Sequence, residues 1–238
     1  MKFMKMFATL AALAVVAPSP AAAQGGSKPT VAVLPFNNNA IGAAQAELAP
    51  LSKGVQDLLI GELAANDGIR VVERDQIQKI VDELKLSQSD LADKATAVKI
   101  GKLIGAHHMV TGGFVTDRKG TMTLVTRVFS VETSELEFPN AKFKDAKVAG
   151  KTDDFMELVN QLAGKLNAGL KLPDIPARVG EARKAEAKKV PYEAIALYSK
   201  GLAAKDAGNK AEAVTLFSKS LEKFPDFENA RSELKKLQ

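Results

Sequence analysis

The chain has 238 residues, of which 46% are apolar and 26% charged, and its formal net charge is +5 at pH 7. These values are close to those of average globular proteins and exclude a chain that is disordered or collagen-like throughout. The sequence contains no Cys, which excludes disulfides, thiolate metal sites, a cysteine nucleophile and a lipid-acceptor cysteine.

The first 23 residues have the layout of a secretory signal peptide. Met1–Lys5 carries two lysines, an apolar run continues as far as Ala17, and the small residues Ala21–Ala23 follow. This order is typical of export signals, and the apolar run is shorter than the roughly 20 residues that a membrane-spanning helix needs. We therefore expect a periplasmic protein, cleaved after Ala23, with no integral membrane span in the mature chain. Association with the outer membrane is left open.

Residues 30–171 alternate between strand and helix patterns. Runs rich in Val, Thr and Phe predict strands, and apolar residues at helical spacing predict helices. The predicted strands are Thr30–Phe36, Ile69–Arg74, His107–Thr116, Thr121–Val131 and an interrupted strand from Leu136–Phe138 to Lys142–Val148. The predicted helices are Glu47–Asn66, one that begins at Asp75, Ala95–Ile104 and Asp153–Leu170. This order predicts an α+β fold, in which a mixed, α/β-like sheet is flanked by helices.

Two side chains are predicted to cap helices in this domain. Asp75 and Gln78 have the spacing of a capping box, in which each side chain satisfies a backbone amide at the start of the helix. Thr152 precedes the helix Asp153–Leu170 and is predicted to cap it.

The composition changes after a proline-rich linker at residues 172–176. Two prolines in five residues prevent a continuous helix there. Residues 177–238 are rich in Ala, Lys and Glu and form an all-α module with predicted helices at Arg178–Lys189, Tyr192–Asp206, Lys210–Lys223 and Phe227–Leu237.

Three segments carry a family resemblance. They are TVAVLPF at residues 30–36, IRVVERDQIQKIVDEL at 69–84 and LADKATAVKIGKLIGAHHMVTGGF at 91–114. In this order they resemble the CsgG family, the curli-secretion channel and its relatives, over about residues 30–166. The resemblance implies a role in assembly or secretion at the cell envelope. Relatives with a similar pattern include flagellar-envelope accessory proteins and lipoprotein activators of peptidoglycan synthases.

The sequence departs from the channel members of that family. It lacks their acylated N-terminal Cys, and neither alternate set of residues in Thr121–Val131 is continuously apolar. Arg127 would lie near the middle of a membrane strand, which disfavours insertion into lipid. We therefore predict a CsgG-like periplasmic domain without the pore.

The all-α module resembles a tetratricopeptide repeat (TPR). With Pro225 as the closing proline, the pattern positions fall on Leu197, Gly201, Ala213 and Phe217. Gly201 and Ala213 are small where two helices come close, and Phe217 fills the space between them. A single repeat is too short to be stable alone, so we expect the module to pack on the front domain, on another protomer or on a partner.

One face of the repeat is the candidate partner-binding site. Ile195, Tyr198, Leu202 and Lys205 recur at spacings of three and four residues and share the face that lines the groove in tetratricopeptide proteins. The alternative is that this face packs against the helix Arg178–Lys189.

Other motifs do not point to catalysis. Adjacent His107 and His108 point to opposite faces of a strand, which disfavours a shared metal. Glu73-Arg74-Asp75 at a strand end is interpreted as a cap with a local ion pair, and Gly112-Gly113 as a bulge or a close backbone approach. We therefore expect no enzymatic activity, no metal and no cofactor.

The sequence therefore predicts a periplasmic assembly or scaffold protein that binds envelope proteins. A homo-oligomer is left open, and the weak net charge does not indicate nucleic-acid binding. The alternatives are a subunit of a CsgG-type outer-membrane secretion channel and a regulator of peptidoglycan synthesis similar to the lipoprotein activators.

Overall fold

The computed structural model describes residues 28–238 except Gln88, Arg118, residues 142–146 and Lys171. The predicted signal peptide with its cleavage after Ala23 lies outside the described residues. Within the described part of the chain, no helix has both the length and the apolar character needed to cross a membrane.

One mixed sheet forms the centre of the part of the structure that comes before α6, which is called the front domain below. In the described residues its strands are β1 (Thr30–Val33), β2 (Asn37–Asn38), β3 (Arg70–Val71), β4 (His108–Thr116), β5 (Thr121–Ser130), β6 (Leu136–Phe138) and β7 (Lys147–Lys151). Their order is β3-β1-β4-β5-β6, with β2 beside β4 and β7 beside β5. β1 is parallel to β3 and β4, whereas β5 is antiparallel to β4, β6 and β7.

Helices account for most of the remaining described residues. They are α1 (Ala43–Leu48), α2 (Leu51–Ala64), α3 (Arg74–Glu83), α4 (Lys94–Ile104), α5 (Phe155–Gly169), α6 (Ala177–Ala187), α7 (Tyr192–Asp206), α8 (Lys210–Lys223) and α9 (Glu228–Leu237). Short 3-10 turns at Asp90–Ala92 and Thr152–Asp154 precede α4 and α5. The predicted α+β architecture with a mixed sheet is confirmed.

The alternation of buried and exposed side chains along β5 shows how the two faces of the sheet differ. Met122, Leu124, Thr126 and Val128 are buried on the face covered by α2 and α5. On this face, a Cβ at Gly150 would lie 2.9 Å from Leu158 of α5. The opposite face is covered by α4 only at one end, where a Cβ at Gly101 would lie 2.5 Å from Val131. The 3-10 turn Asp90–Ala92 also lies beside β4 on that face, where Thr111 is buried, and the part of the face around Val115 and Val125 is open.

The four C-terminal helices pack on the front domain through α7 and α2. Gly54 of α2 makes this approach close, because a Cβ there would overlap the Ser199 hydroxyl and lie 2.9 Å from the Ser199 Cβ. α8 in turn packs on α7, where a Cβ at Gly201 would lie 2.5 Å from the Phe217 ring. The helices therefore add a further layer outside α2.

Several predicted elements are shorter or divided. The predicted helix Glu47–Asn66 is two helices, α1 and α2, since Pro50 cannot donate a backbone hydrogen bond within a continuous helix. The strand predicted at Ile69–Arg74 is only two residues long. β6 and β7 are separate strands that pair with different parts of β5, and the start of the predicted segment Lys142–Val148 lies outside the described residues.

Both predicted caps are wrong. Glu73 precedes α3 without a capping hydrogen bond from its side chain, and the Asp75 carboxylate pairs with Arg74 instead. The Thr152 hydroxyl donates to the Gly120 carbonyl rather than capping α5. Asp93 is an observed cap, since its carboxylate accepts from the Thr96 N–H at 2.8 Å at the start of α4.

Candidate interaction site

The side chains predicted to bind a partner lie at the contact between the C-terminal helices and the front domain. Ile195, Tyr198 and Leu202 are each 0% exposed. The Lys205 side chain is 17% exposed and forms ion pairs. The layer that covers this face is α2 together with its neighbours, and not the helix Arg178–Lys189. A partner could reach these side chains only after α7 had separated from α2.

Tyr198 joins the two parts of the protein. Its hydroxyl donates to the carboxylate of Asp57 on α2. Its ring contacts Phe217 and Phe227, with ring centroids 5.7 and 5.1 Å apart. Asn229 of α9 also donates to Asp57, at 3.3 Å. Aromatic packing and a buried polar contact therefore coincide at this residue.

Arg74 is the central cation of this contact, and its side chain is only 2% exposed. Its guanidinium donates to both carboxylate oxygens of Asp206 at 2.9–3.0 Å and to Asp75 at 2.9 Å. Its Nε lies 3.7 Å from Asp57. Arg74 thus connects the start of α3 with the end of α7, and the local ion pair expected from the sequence is one part of a larger network.

Further ion pairs extend this network. Lys205 contacts Asp75 at 2.8 Å and Glu233 of α9 at 2.6 Å, and Lys53 of α2 pairs with Asp206. Lys236 contacts Glu233 at 2.6 Å. The cations and carboxylates of this junction cluster are equal in number, so their charges balance when all are ionised: Lys53, Arg74, Lys205, Lys236, Asp57, Asp75, Asp206 and Glu233.

The carboxyl groups of the junction cluster differ in their pKa. Burial raises the pKa of Asp57 above its ordinary value of 3.8, although the hydrogen bond from Tyr198 and the charge of Arg74 act against it. At Asp75 burial also acts to raise the pKa, but the hydrogen bond from Lys205 and the charge of Arg74 outweigh it and lower the pKa below 3.8. Folding therefore favours the protonated form of Asp57 and the ionised form of Asp75.

The raised pKa of Asp57 predicts a pH dependence of stability. A folded-state pKa above the unfolded-state pKa means that the folded state binds more protons, so stability falls as the pH rises from 3.8 through the raised pKa. Asp57→Asn removes this contribution, so we expect its free energy of unfolding, relative to wild type, to increase with pH over that range. Urea denaturation at a series of pH values measures the difference. The exposed Asp226→Asn is the matched control, and equal pH slopes in all three proteins would contradict the prediction.

The second surface is the open face of the sheet, defined by the outward residues of β4, β5 and β7: Val115, Thr123, Val125, Arg127, Lys147, Ala149 and Lys151. The register places Val115 opposite Thr123, and Val125 opposite Lys147. Val115 and Val125 are 42% and 43% exposed, and Arg127 and Lys151 are also exposed. The face therefore combines accessible apolar area with positive charge.

Glycines shape one end of this open face. Gly113 pairs with Val125 on this face, and a Cβ there would lie 2.5 Å from the Asn39 side chain. Gly112 pairs with Thr126 instead, so a Cβ there would lie on the covered face, 2.5 Å from the Phe36 ring. The pairing of β4 with β5 is regular here, so this is the close backbone approach and not the bulge. A shallow pocket of about 360 Å³ lies over these glycines, and Arg127 lines it.

The adjacent histidines have separate partners. His107 Nδ1 accepts from the Thr30 N–H at 3.0 Å, and His108 Nδ1 lies 2.6 Å from Glu137 Oε2. In the part of the chain that the structure describes, no three His, Asp or Glu residues are grouped as metal ligands would be.

The residues predicted to pack within the repeat occupy different environments. Gly201, Ala213 and Phe217 are buried between α7 and α8, whereas Leu197 is half-buried and Pro225 is exposed just after α8. The Ser220 hydroxyl donates to the Ala194 carbonyl at 2.7 Å, which ties the two helices together.

Asp57 and Asp206 are members of the junction cluster that no motif in the sequence indicates. Asp57 is a charged residue within the largely apolar stretch VQDLLI, and such a position suggests a buried carboxylate that needs a partner. Asp206 is the last residue of α7, where an acidic residue faces the negative end of the helix dipole. That unfavourable position is compensated by the ion pairs with Arg74 and Lys53.

A family match covers part of the amino-terminal half of the chain. Residues 14–119 match the model of the family described as "Curli production assembly/transport component CsgG". The matched range includes β1–β4, α1–α4 and the residues Arg74 and Asp75 of the junction cluster. The helices α6–α9 lie outside the matched range. No curated protein matches the chain significantly.

Several solved structures are similar to this chain at low sequence identity. The LpoB C-terminal domain from Salmonella enterica is 19% identical, with 54% of this chain and 87% of that chain covered and a TM-score of 0.36. Lipoprotein GNA1162 from Neisseria meningitidis is 13% identical, with 51% and 81% covered and a TM-score of 0.34. A PelC dodecamer from Paraburkholderia phytofirmans is 11% identical, with 61% and 89% covered and a TM-score of 0.34.

Proposed function

We propose that this protein is a non-enzymatic assembly or scaffold protein of the periplasm, exported by the predicted signal peptide. It would act by binding another envelope protein through the open face of the sheet. The match of residues 14–119 to a family of assembly and transport components supports the envelope role. The observation that carries the binding site is the accessible apolar and basic surface around Val125 and Arg127.

The chemistry of the open face indicates the kind of partner. Its outward positions on β4, β5 and β7 are apolar, small, hydroxyl-bearing or basic, and none of these described positions is acidic. Asp117, in the adjacent turn, accepts hydrogen bonds from the backbone N–H groups of Lys119 and Thr121. Because interfaces pair opposite potentials, we propose that the partner is a protein surface with acidic groups around an apolar centre.

We further propose that residues 30–171 and 177–238 are two domains, and that α7 and α8 form a TPR-like unit. The close contact of Gly201 with Phe217 supports this assignment. In the described conformation α2 covers the face formed by Ile195, Tyr198 and Leu202. The module would therefore stabilise the front domain, while the open face of the sheet stays accessible to the partner.

Charge reversal on the open face tests the proposed function. A photo-crosslinking amino acid at Val125 captures the partner from cells, and binding of the purified partner to the intact protein is then measured. We expect Arg127→Glu and Lys151→Glu each to weaken binding at least about tenfold, because like charges would then face each other across the interface. Since both side chains are exposed, the free energy of unfolding should change by no more than about 0.5 kcal/mol.

Lys219→Glu is the matched control, because Lys219 is an exposed lysine on α8, far along the chain from the sheet. It should leave the affinity unchanged. If both sheet variants bind the captured protein as wild type does, or if the control weakens binding equally, the open face is not the docking surface.

A further inference from the structure

A row of cationic and polar side chains lies at the amino ends of the parallel strands. The register pairs Thr30 of β1 with Arg70 of β3 and Val31 with His108 of β4, so Thr30 stands beside His107. Neighbouring residues in register point to the same face of a sheet, and residues two apart on one strand do so as well. Lys28, Thr30, Arg70 and His107 therefore share one face, at the opposite end of β4 from the open-face residue Val115.

Thr30 holds two of these side chains in place. Its hydroxyl accepts from Arg70 Nε at 3.2 Å, and its backbone N–H donates to His107 Nδ1 at 3.0 Å. Because Nδ1 accepts, the neutral His107 ring carries its proton on Nε2, which is then a donor. The terminal nitrogens of Arg70 have no partner among the described residues, and neither does the Lys28 amine.

These donors surround an open pocket of about 580 Å³. The six described residues that line it are Lys28, Thr30, Ile69, Arg70, Gly105 and His107, and none of them is acidic. Gly105 ends α4 in the left-handed conformation at φ +66°, and a Cβ there would have no atom within 4 Å, so the pocket is open on this side. A guanidinium fork, an ammonium and an imidazole N–H around one space are the donor types that bind oxyanions.

We propose that this pocket binds a phosphate group, with Arg70 as the bidentate ligand and His107 and Lys28 as further donors. The ligand is a phosphate monoester or diester whose remaining atoms extend into solvent through the open mouth of the pocket. This site is separate from the open face of the sheet, so its test is independent of the proposed function.

Titration with inorganic phosphate, followed by NMR at constant ionic strength against chloride, tests the site. We expect saturable shifts confined to the His107 ring and to the amides of residues 28–30, 70 and 105–107. Arg70→Ala should weaken phosphate binding about tenfold or more, and Arg70→Lys should restore part of it, since a lysine keeps the charge but not the fork. Arg178→Ala, at an exposed arginine on α6, is the matched control and should bind as wild type does.

The source of the phosphate group is distinguished by vesicle binding. Vesicles of phosphatidylcholine with phosphatidylglycerol are compared with pure phosphatidylcholine vesicles, using wild type and Arg70→Ala. Binding that requires the anionic lipid and Arg70 assigns the site to a lipid headgroup. Phosphate binding without vesicle binding assigns it to a small phosphate ester. The proposal is overturned if phosphate gives no saturable shift, or if Arg70→Ala and Arg178→Ala bind it as wild type does.

Discussion

Replacing Arg74 with Ala should lower the free energy of unfolding by about 3–5 kcal/mol, because it removes one partner of a buried ion-pair network. The Arg74 side chain is 2% exposed, and Asp206, which it contacts through both carboxylate oxygens, is 8% exposed. Without Arg74 the carboxylates of Asp57 and Asp206 lose their nearest buried guanidinium. Urea denaturation at neutral pH measures the effect.

The control for this change is the exposed Arg178→Ala, which should alter stability by no more than about 0.5 kcal/mol. The double variant Arg74→Ala with Asp206→Ala should be less destabilised than the sum of the two single variants, since each residue acts largely through the other. Additive effects in that cycle would mean that Arg74 does not hold the two parts of the protein together.

Replacing Tyr198 with Ala should also cost about 3–5 kcal/mol, because it deletes a fully buried aromatic side chain between α2, α8 and α9. The loss should appear as one unfolding transition at lower urea concentration. If the variant instead kept its stability and lost only binding to a partner, then Tyr198 would belong to an accessible binding face.

Tyr198→Phe is the matched variant for the hydroxyl group. It keeps the ring contacts with Phe217 and Phe227 but removes the hydrogen bond to Asp57. Asn229 still donates to Asp57 in this variant, and the loss of one hydrogen bond to a buried carboxylate costs about 1–3 kcal/mol, so its stability should lie between those of wild type and Tyr198→Ala. The double variant Tyr198→Phe with Asp57→Asn should lose less free energy of unfolding than the sum of the losses in the two single variants.

The C-terminal helices were the most predictable part of the fold. α7 and α8 begin and end at the predicted residues, Tyr192–Asp206 and Lys210–Lys223. Pro191 and Gly208 stand just outside them, and both residues give local signals for the ends of helices. The ends of a helix can be predicted from the sequence when the residues next to the helix determine them, because these residues are neighbours in the chain.

The junction cluster could not be predicted in the same way. Arg74 and Asp206 are 132 positions apart, and nothing near Arg74 in the sequence indicates that its partner is at the end of α7. The spacing of Ile195, Tyr198 and Leu202 indicates that they share one side of a helix, but the amphipathic pattern does not say what covers that side. The strand β3 is only two residues long because pairing with β1, and not propensity, sets its length.

α7 packs closely on α2 at Gly54, so the surface of α2 is completed only when α7, a late segment of the chain, is present. α2 is synthesised well before residues 192–206, so the surface around Gly54 and Asp57 stays without its cover until α7 has been synthesised. During that interval the nascent chain offers proteases and chaperones a site that the finished molecule conceals. A stop codon shortly before Tyr192 would make that vulnerable stage permanent.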